Sequence, residues 1–421
     1  MPTRHSGRML AIRAAHVFDG DRFLPSGTTV LVRDDRIVGV EIGRVDLPSD
    51  TEVVEHPGTV LPGLIDCHTH LVADATFGGL ERAGVMSDEE VDAVVLGSLR
   101  AHAASGVTTV RDLGDVRYRT LASRGAPGLP RVVAAGPPIT PFGGHCHFLG
   151  GAAGATESDL RAAVTERAAR GVGVLKVMAS GGFATPGTDQ LGAQYTVEAL
   201  AVLVDEAHRA GLPLVAHAHS LAAMRNAVTA GVDGIEHFTG LSTEHGAQIP
   251  DDFLQEVAQA GIDVDLTMGN DRSLHALMPV PPPAVAELMA RFGFSGFDGF
   301  YASRIGLLAR LREHGVRVIA GVDSGMGQPK RHGNVWRTVD EMVQAGYPAA
   351  EALAAATSVA ARACGLGGTT GRLAPRHAAD VLVVDGDLAH DVSTLSRPRA
   401  VLLNGVPLGR QPSGRPEALP I

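Results

Sequence analysis

An α/β fold, a (β/α)8 (TIM) barrel carrying a small β-sandwich built from both chain ends, follows from three features of this 421-residue sequence. Between about residues 57 and 365 a short β-branched run, a polar loop and an Ala-rich stretch at helical spacing recur, the grammar of parallel sheets. Eight such units occur, enough to close a barrel whose functional groups sit where strands end. Both flanks instead carry short alternating strands without helices between them.

In chain order, AIRAAHVFDG, TTVLVRDDRIVGV and TEVVEH alternate as strands of the front flank. The barrel strands follow: TVLPGLIDCH, GVTTVRDLG, LPRVVAAGP, VGVLKVMASGG, LPLVAHAHS, GVDGIEHFTG, GIDVDLTMG and VRVIAGVDSG. Helices such as SDEEVDAVVLGSLRAHAASG, TVEALAVLVDEAHRAG and YASRIGLLARLREHG close on His or Arg and then Gly, as helix C-termini do. His102, His208 and His314 are therefore read as cations at the negative ends of helices, away from the strand ends. Residues 278–300, a proline run followed by Phe and Gly, read as a long loop after the seventh strand and a candidate lid. RLAPRHAADVLVVDGD and PRAVLLNGVPLGR return as alternating strands. The expected division is 1–56 plus 366–421 for the β-sandwich and 57–365 for the barrel.

Composition narrows the function. With 45% hydrophobic and 19% charged residues the chain is globular, large enough for a barrel plus a small module. The net charge of -10, from 46 acidic against 36 basic residues without a basic cluster, argues against nucleic acid as a partner. No window reaches the roughly 18 consecutive apolar residues of a membrane span, and MPTRHSGRML lacks the apolar core of a signal peptide, so no membrane and a cytoplasmic location are expected. Cys67, Cys146 and Cys364, odd in number and far apart in sequence, suit reduced small hydrophobes.

The stretch LPGLIDCHTH carries the first chemistry. Residues i and i+2 of a strand face the same way, so His68 and His70 present both imidazoles on one side. Two neutral imidazoles can grip a borderline metal such as zinc, yet an isolated HxH is better read as a polar turn. The other strand ends change that balance. Of 18 histidines, seven fall at or just beyond strand ends: His68, His70, His145, His147, His217, His219 and His237. The eighth strand ends with Asp323, and such a convergence points to a metal site. Lys176, inside the apolar fourth strand, is costly unless paired or altered; a snorkelling or salt-bridged lysine is the ordinary explanation. An ammonium there would repel metal ions, so a functional Lys176 has to be neutral or converted to an anion.

These residues resemble the amidohydrolase superfamily, in the branch of imidazolonepropionase-like proteins and Xaa-Pro dipeptidases (prolidases) with related carboxypeptidases and N-acyl-amino-acid hydrolases. The resemblance covers PGLIDCHTH, TTVRDLG, LKVMASGG, HAHS, IEH, VDSG and AADVLVVDGD, nearly the whole chain. It implies two divalent ions, zinc first with manganese, cobalt or iron also suited to these ligands. His68 and His70, with Asp323, would hold the more buried ion. Lys176, carboxylated by CO2 to a carbamate, would bridge to a second held by His217 and His237. It also implies a small-molecule substrate and a homo-oligomer assembled through barrel helices.

The implied reaction is hydrolysis of an amide bond in a dipeptide, an N-acyl amino acid or a related small molecule by a metal-bridged hydroxide. Bridging lowers the pKa of water toward roughly 7, and Asp323 would pass the proton to the departing nitrogen. His219 is free either to hydrogen-bond substrate or oxyanion or to orient a ligand. His145 and Tyr195 are implied substrate contacts, although Tyr195 could equally pack the following helix. Glu236 reads as a structural partner, Arg111 and Asp112 as buried residues ion-paired with the barrel rim, and Arg272 as a solvated loop residue or a carboxylate binder. The rivals are opening of a cyclic amide, deamination of a cyclic amidine, against which Lys176 argues, and a non-catalytic ligand-binding barrel. The sequence departs from the resembling pattern in the proline-rich region after the seventh strand and in LAPRHAAD.

Overall fold

The computed structural model describes residues 9–277, 286, 287, 290–292, 294 and 296–409. Its strands, in chain order, are β1 (Met9–Phe18), β2 (Phe23–Leu24), β3 (Thr28–Arg33), β4 (Arg36–Ile42), β5 (Glu52–Pro62), β6 (Leu64–Thr69), β7 (Val107–Asp112), β8 (Arg131–Ala134), β9 (Thr140–Pro141), β10 (Ala152–Ala153), β11 (Leu175–Met178), β12 (Leu214–Ser220), β13 (Gly234–Leu241), β14 (Asp263–Asp265), β15 (Val381–Val384), β16 (Pro398–Leu403) and β17 (Val406–Pro407). The fold is α/β.

Both ends of the chain meet in one mixed sheet, ordered β17-β16-β15-β5-β1-β3-β4, with β2 on β1. Alternate residues turn Ile12, Val30, Val32, Ile37, Val60, Val381 and Val383 onto one apolar core. The sheet curls over that core: Ile37 N–H donates to His377 O at 2.9 Å and Ala379 N–H to Asp35 O at 2.8 Å. TVLPGLIDCH, expected as one strand, is two. Thr59–Pro62 belong to β5, paired with β1 and β15, and β6 begins after Gly63. A Cβ at Gly63 would lie 2.2 Å from the Thr108 side chain, so the break requires glycine.

The central region holds two parallel sheets, β6-β7-β8 and β11-β12-β13-β14. Backbone bonds join them on both sides. Gly173 N–H donates to Ala134 O at 2.9 Å, and Ile139 exchanges bonds with Lys176 O and Met178 N at 2.8 and 2.9 Å. On the far side Val264 N–H donates to Arg317 O at 2.9 Å and Cys67 N–H to Ala320 O at 2.9 Å. The predicted eighth strand, 316–325, thus lies between β14 and β6, but only as bridges at Val318 and Ser324. Asp323, at φ 65°, turns the backbone out of the extended region there. Parallel strands buried on both faces explain the near-continuous apolar runs of β6, β7, β11, β12 and β13.

Helices connect these strands, and several start on side-chain caps. Ser87 forms a capping box with Glu90 ahead of Asp88–Ala104, and Thr156, Thr196 and Ser220 each accept a first-turn N–H. His102 is not the helix-end cation expected. It is buried, its Nδ1 accepts from Gly333 N–H at 3.2 Å and its Nε2 lies 3.2 Å from His332, and burial holds its pKa well below the usual histidine value. His208 and His314 do face carboxylates, Asp233 and Asp251, at 3.0 and 3.2 Å. Residues 278–285, 288, 289, 293 and 295 of the predicted lid lie outside the described residues; from Gly296 the segment is not loop but the helix Gly296–Glu313. Among the described residues no helix is long and apolar enough to cross a membrane.

Candidate metal centre

β6 delivers His68 and His70 side by side, as its period of two requires, with ring centroids 5.4 Å apart. Each ring is fixed from behind. His70 Nδ1–H donates to Gly114 O at 2.9 Å, and His68 Nδ1 lies 2.8 Å from Glu236 Oε2. Those bonds leave both Nε2 atoms facing Asp323 Oδ1, at 3.5 Å from His68 and 3.2 Å from His70. Glu236 is itself held by Arg111, whose NH2 donates to Oε1 at 2.8 Å, so the expected partner roles of both residues are seen in one buried chain of contacts. Asp66 ties β6 to the 316–325 segment by accepting from Val322 N–H at 3.2 Å and Ser324 Oγ–H at 2.8 Å.

The second group comes from β12 and β13. His217 Nε2–H donates to Gly181 O at 3.2 Å, which leaves its Nδ1 lone pair free. His219 Nδ1 pairs with Thr239 Oγ1 at 2.8 Å and His237 Nδ1 with Thr267 Oγ1 at 3.1 Å. Ligand atoms of His217, His219 and His237 all lie within 4.8 Å of one another, as do those of His68, His70 and Asp323. The two triples adjoin, His68 and His237 having centroids 5.2 Å apart.

Burial depresses the pKa of His68, His217 and His237 well below the ordinary value, keeping these imidazoles neutral. Burial alone would raise the Asp323 carboxyl, but Lys330, His70 and His68 overcome it and hold it far below the carboxylate range. Lys176 is the anomaly. It is 1% exposed on β11, its Nζ has no hydrogen-bond partner among the described residues, and burial lowers its pKa to about 8. Lys176 is thus a buried amine without a hydrogen-bond partner among the described residues, beside two triples of candidate ligand atoms.

A cavity of about 560 Å³ opens over these groups. His68, His70, Lys176, His217, His237, Asp323, His219 and His145 all line it. His145 stands 4.5 Å from His217 between ring centroids, with Nδ1 2.9 Å from Thr185 Oγ1. Tyr195 is not brought to the cavity. It follows Gln194 into the main core, where it is 7% exposed. His147 also stays outside, bonded to Gly144 O at 2.9 Å. Arg272 pairs with Asp298 at 3.3 Å on the surface, as a solvated loop arginine should.

Two cationic residues of the cavity, Lys330 and Arg304, were not expected from the sequence. Lys330 Nζ lies 3.1 Å from Thr267 O and 3.3 Å from Asp323 Oδ2, and Arg304 spans Phe238 O and Leu266 O at 3.0 Å each and also His237 O. Lys330, seven positions after Asp323, could have been found as a charge close behind a strand-end carboxylate. Arg304 lies in an otherwise ordinary helix and carries no such signal. Non-glycine residues with positive φ cluster here too: Cys146 (56°), His237 (69°), Thr267 (49°) and Asp323 (65°) all line the cavity. Elsewhere the lining is mostly apolar, with Phe77, Phe183, Phe292, Phe294, Phe297 and Phe300, and includes the polar Thr76, Glu81, Thr239 and Asn270.

Residues 59–408 match the Amidohydrolase family. An uncharacterized protein of Mycobacterium tuberculosis is 30% identical over 356 residues, 84% of this chain and 86% of that protein. The ochratoxinase of Aspergillus niger is 23% identical over 416 residues, 90% of this chain and 81% of its own. Among solved structures, a Xaa-Pro dipeptidase with methionine bound in its active site superposes with a TM-score of 0.80 at 24% identity, covering 95% of this chain and 99% of that one, a likeness of fold.

Proposed function

The chain belongs to the amidohydrolase family and is a hydrolase acting on carbon–nitrogen bonds, and from that premise we propose that it is a two-metal enzyme cleaving an amide bond in a dipeptide, an N-acyl amino acid or a related small molecule with an apolar portion. The observation that carries this reading is Lys176, a buried amine without a hydrogen-bond partner among the described residues, lining one cavity with four imidazoles and Asp323. The eight parallel segments are proposed as a closed (β/α)8 barrel and the terminal sheet as the β-sandwich, with the boundary at Gly63.

His68, His70 and Asp323 would hold one ion, His217 and His237 the other, and Lys176 would bridge them. Divalent ions bound there would acidify water and polarise the scissile carbonyl. The neutral Lys176 amine would add CO2 to give a carbamate anion with release of one proton, placing a negative charge where the ammonium would place a positive one. Its depressed pKa supports that step near neutrality. Asp323, ionised, takes a proton from the attacking water and returns it to the departing nitrogen. Glu236 and Gly114 fix the His68 and His70 tautomers so that Nε2 points inward. His219 and His145, lining the same cavity, would donate to the substrate oxygen, and the phenylalanines would contact the apolar portion.

A panel of N-acyl amino acids, dipeptides and lactams tests the reading on protein whose metal content has been measured. Metal-dependent release of an amino acid from the acyclic amides is expected. Turnover of lactams alone would move the reading to cyclic amides, and no turnover with metal bound would remove it.

A further inference from the structure

The cavity holds two cationic side chains besides Lys176, and they are not equivalent. Arg304 is 4% exposed and its guanidinium is spent on the carbonyls of His237, Phe238 and Leu266. Lys330 bonds to one carbonyl, Thr267 O, and to Asp323 Oδ2, with its side chain 19% exposed to the cavity. An ammonium has three N–H donors, so one remains for a ligand.

Its position relative to Asp323 says which ligand atom it would meet. Asp323 Oδ1 faces His70 and His68, while Oδ2 faces Lys330 at 3.3 Å. A nitrogen that receives a proton from Asp323 must sit within hydrogen-bond reach of that carboxylate. In an N-acyl α-amino acid the free carboxylate is joined to the same carbon as that nitrogen, so its oxygens fall within reach of an ammonium beside Asp323. A urea, a lactam or an amino-acid amide puts no negative charge there. The rest of the wall is mostly apolar, with Thr76, Glu81, Thr239 and Asn270 among its polar members, and offers a carboxylate no other uncommitted Lys or Arg among the described residues. A few polar groups in an apolar pocket are what fix a ligand's orientation.

We infer that Lys330 is the specificity-determining residue for a free α-carboxylate on the leaving side of the scissile amide, so that the substrates are N-acyl α-amino acids and not their neutral derivatives. The inference rests on the amide-hydrolase reading above for what binds beside Asp323.

The test compares N-benzoyl-phenylalanine with N-benzoyl-phenylalaninamide on metal-loaded full-length protein, as wild type, Lys330→Met and Lys330→Arg, with metal content measured for each. Loss of a charge-assisted contact corresponds to roughly 10- to 100-fold. Wild type is expected to favour the acid by that factor in kcat/KM, Lys330→Met to lose the preference, and Lys330→Arg to regain part of it. A role confined to holding Asp323 would lower both substrates together and leave the ratio intact, which would overturn the inference, as would a wild type without acid preference. Calorimetric titration of the same pair reads the ratio without turnover. Absence of hydrolysis would therefore strike the functional reading, while the binding ratio still decides the role of Lys330.

Discussion

His68 Nδ1 and Glu236 Oε2 lie 2.8 Å apart, and this contact sets which nitrogen of His68 faces the cavity. Glu236 also takes Arg111, so one buried carboxylate orients a candidate ligand and neutralises a buried guanidinium. Glu236→Gln is expected to weaken metal affinity by about 10- to 100-fold and, by leaving Arg111 uncompensated, to cost about 3 kcal/mol of stability. Competition with a chromogenic chelator and urea unfolding measure the two effects. An unchanged affinity would show that the contact does not serve a metal.

Lys176→Ala removes the proposed bridge. Loading should fall from about two ions per chain to at most about one, with turnover lost. Elemental analysis after equilibration with zinc and bicarbonate is the check, and full loading with retained activity would rule out the bridging role.

Glu341 makes a prediction independent of the metal site. Burial raises its carboxyl from 4.5 to about 7, although Gly269 N–H donates to Oε2 at 2.7 Å. The folded state therefore holds a proton that the unfolded chain has released between about pH 4.5 and 7, so this group's ionisation erodes stability as pH rises through that window. By pH 8 the penalty approaches about 3 kcal/mol. Glu341→Gln, which cannot ionise, should gain stability relative to wild type between pH 5 and pH 8 in urea titrations. A difference that does not change with pH would contradict the buried-acid assignment.

Gly321 lies behind the first triple. A Cβ there would come 1.8 Å from Asp265 Oδ2 and 2.8 Å from His68 Cβ. Gly321→Ala is expected to cost about 1–3 kcal/mol and to displace His68 enough to reduce bound metal. Thermal unfolding with metal analysis tests this, and a variant indistinguishable from wild type would mean that the segment yields freely.

How much of this was legible follows from the physics of each residue. His68, His70, His217, His219 and His237 were readable because a strand's period of two is local, and Lys176 because a lysine in an apolar run stands out. Lys330 and Arg304 reach the cavity from a loop turn and a helix, and their proximity to Thr267 and His237 arises only through tertiary packing. Tyr195, next to the cap Thr196, lies in the main core and does not line the cavity, and nothing in its local sequence distinguishes the two directions. The Pro62-Gly63 step hid a change of sheet inside one apolar run, and the eighth strand is bent by Asp323.

The central claim is that Lys176 bridges two cations between His68, His70 and Asp323 on one side and His217 and His237 on the other. A crystal structure of protein equilibrated with zinc and bicarbonate, with anomalous data at the zinc edge, tests it most directly. We predict two anomalous peaks within the cavity and planar density extending from Lys176 Nζ toward both; an unmodified Lys176 with no peak near it would contradict the claim.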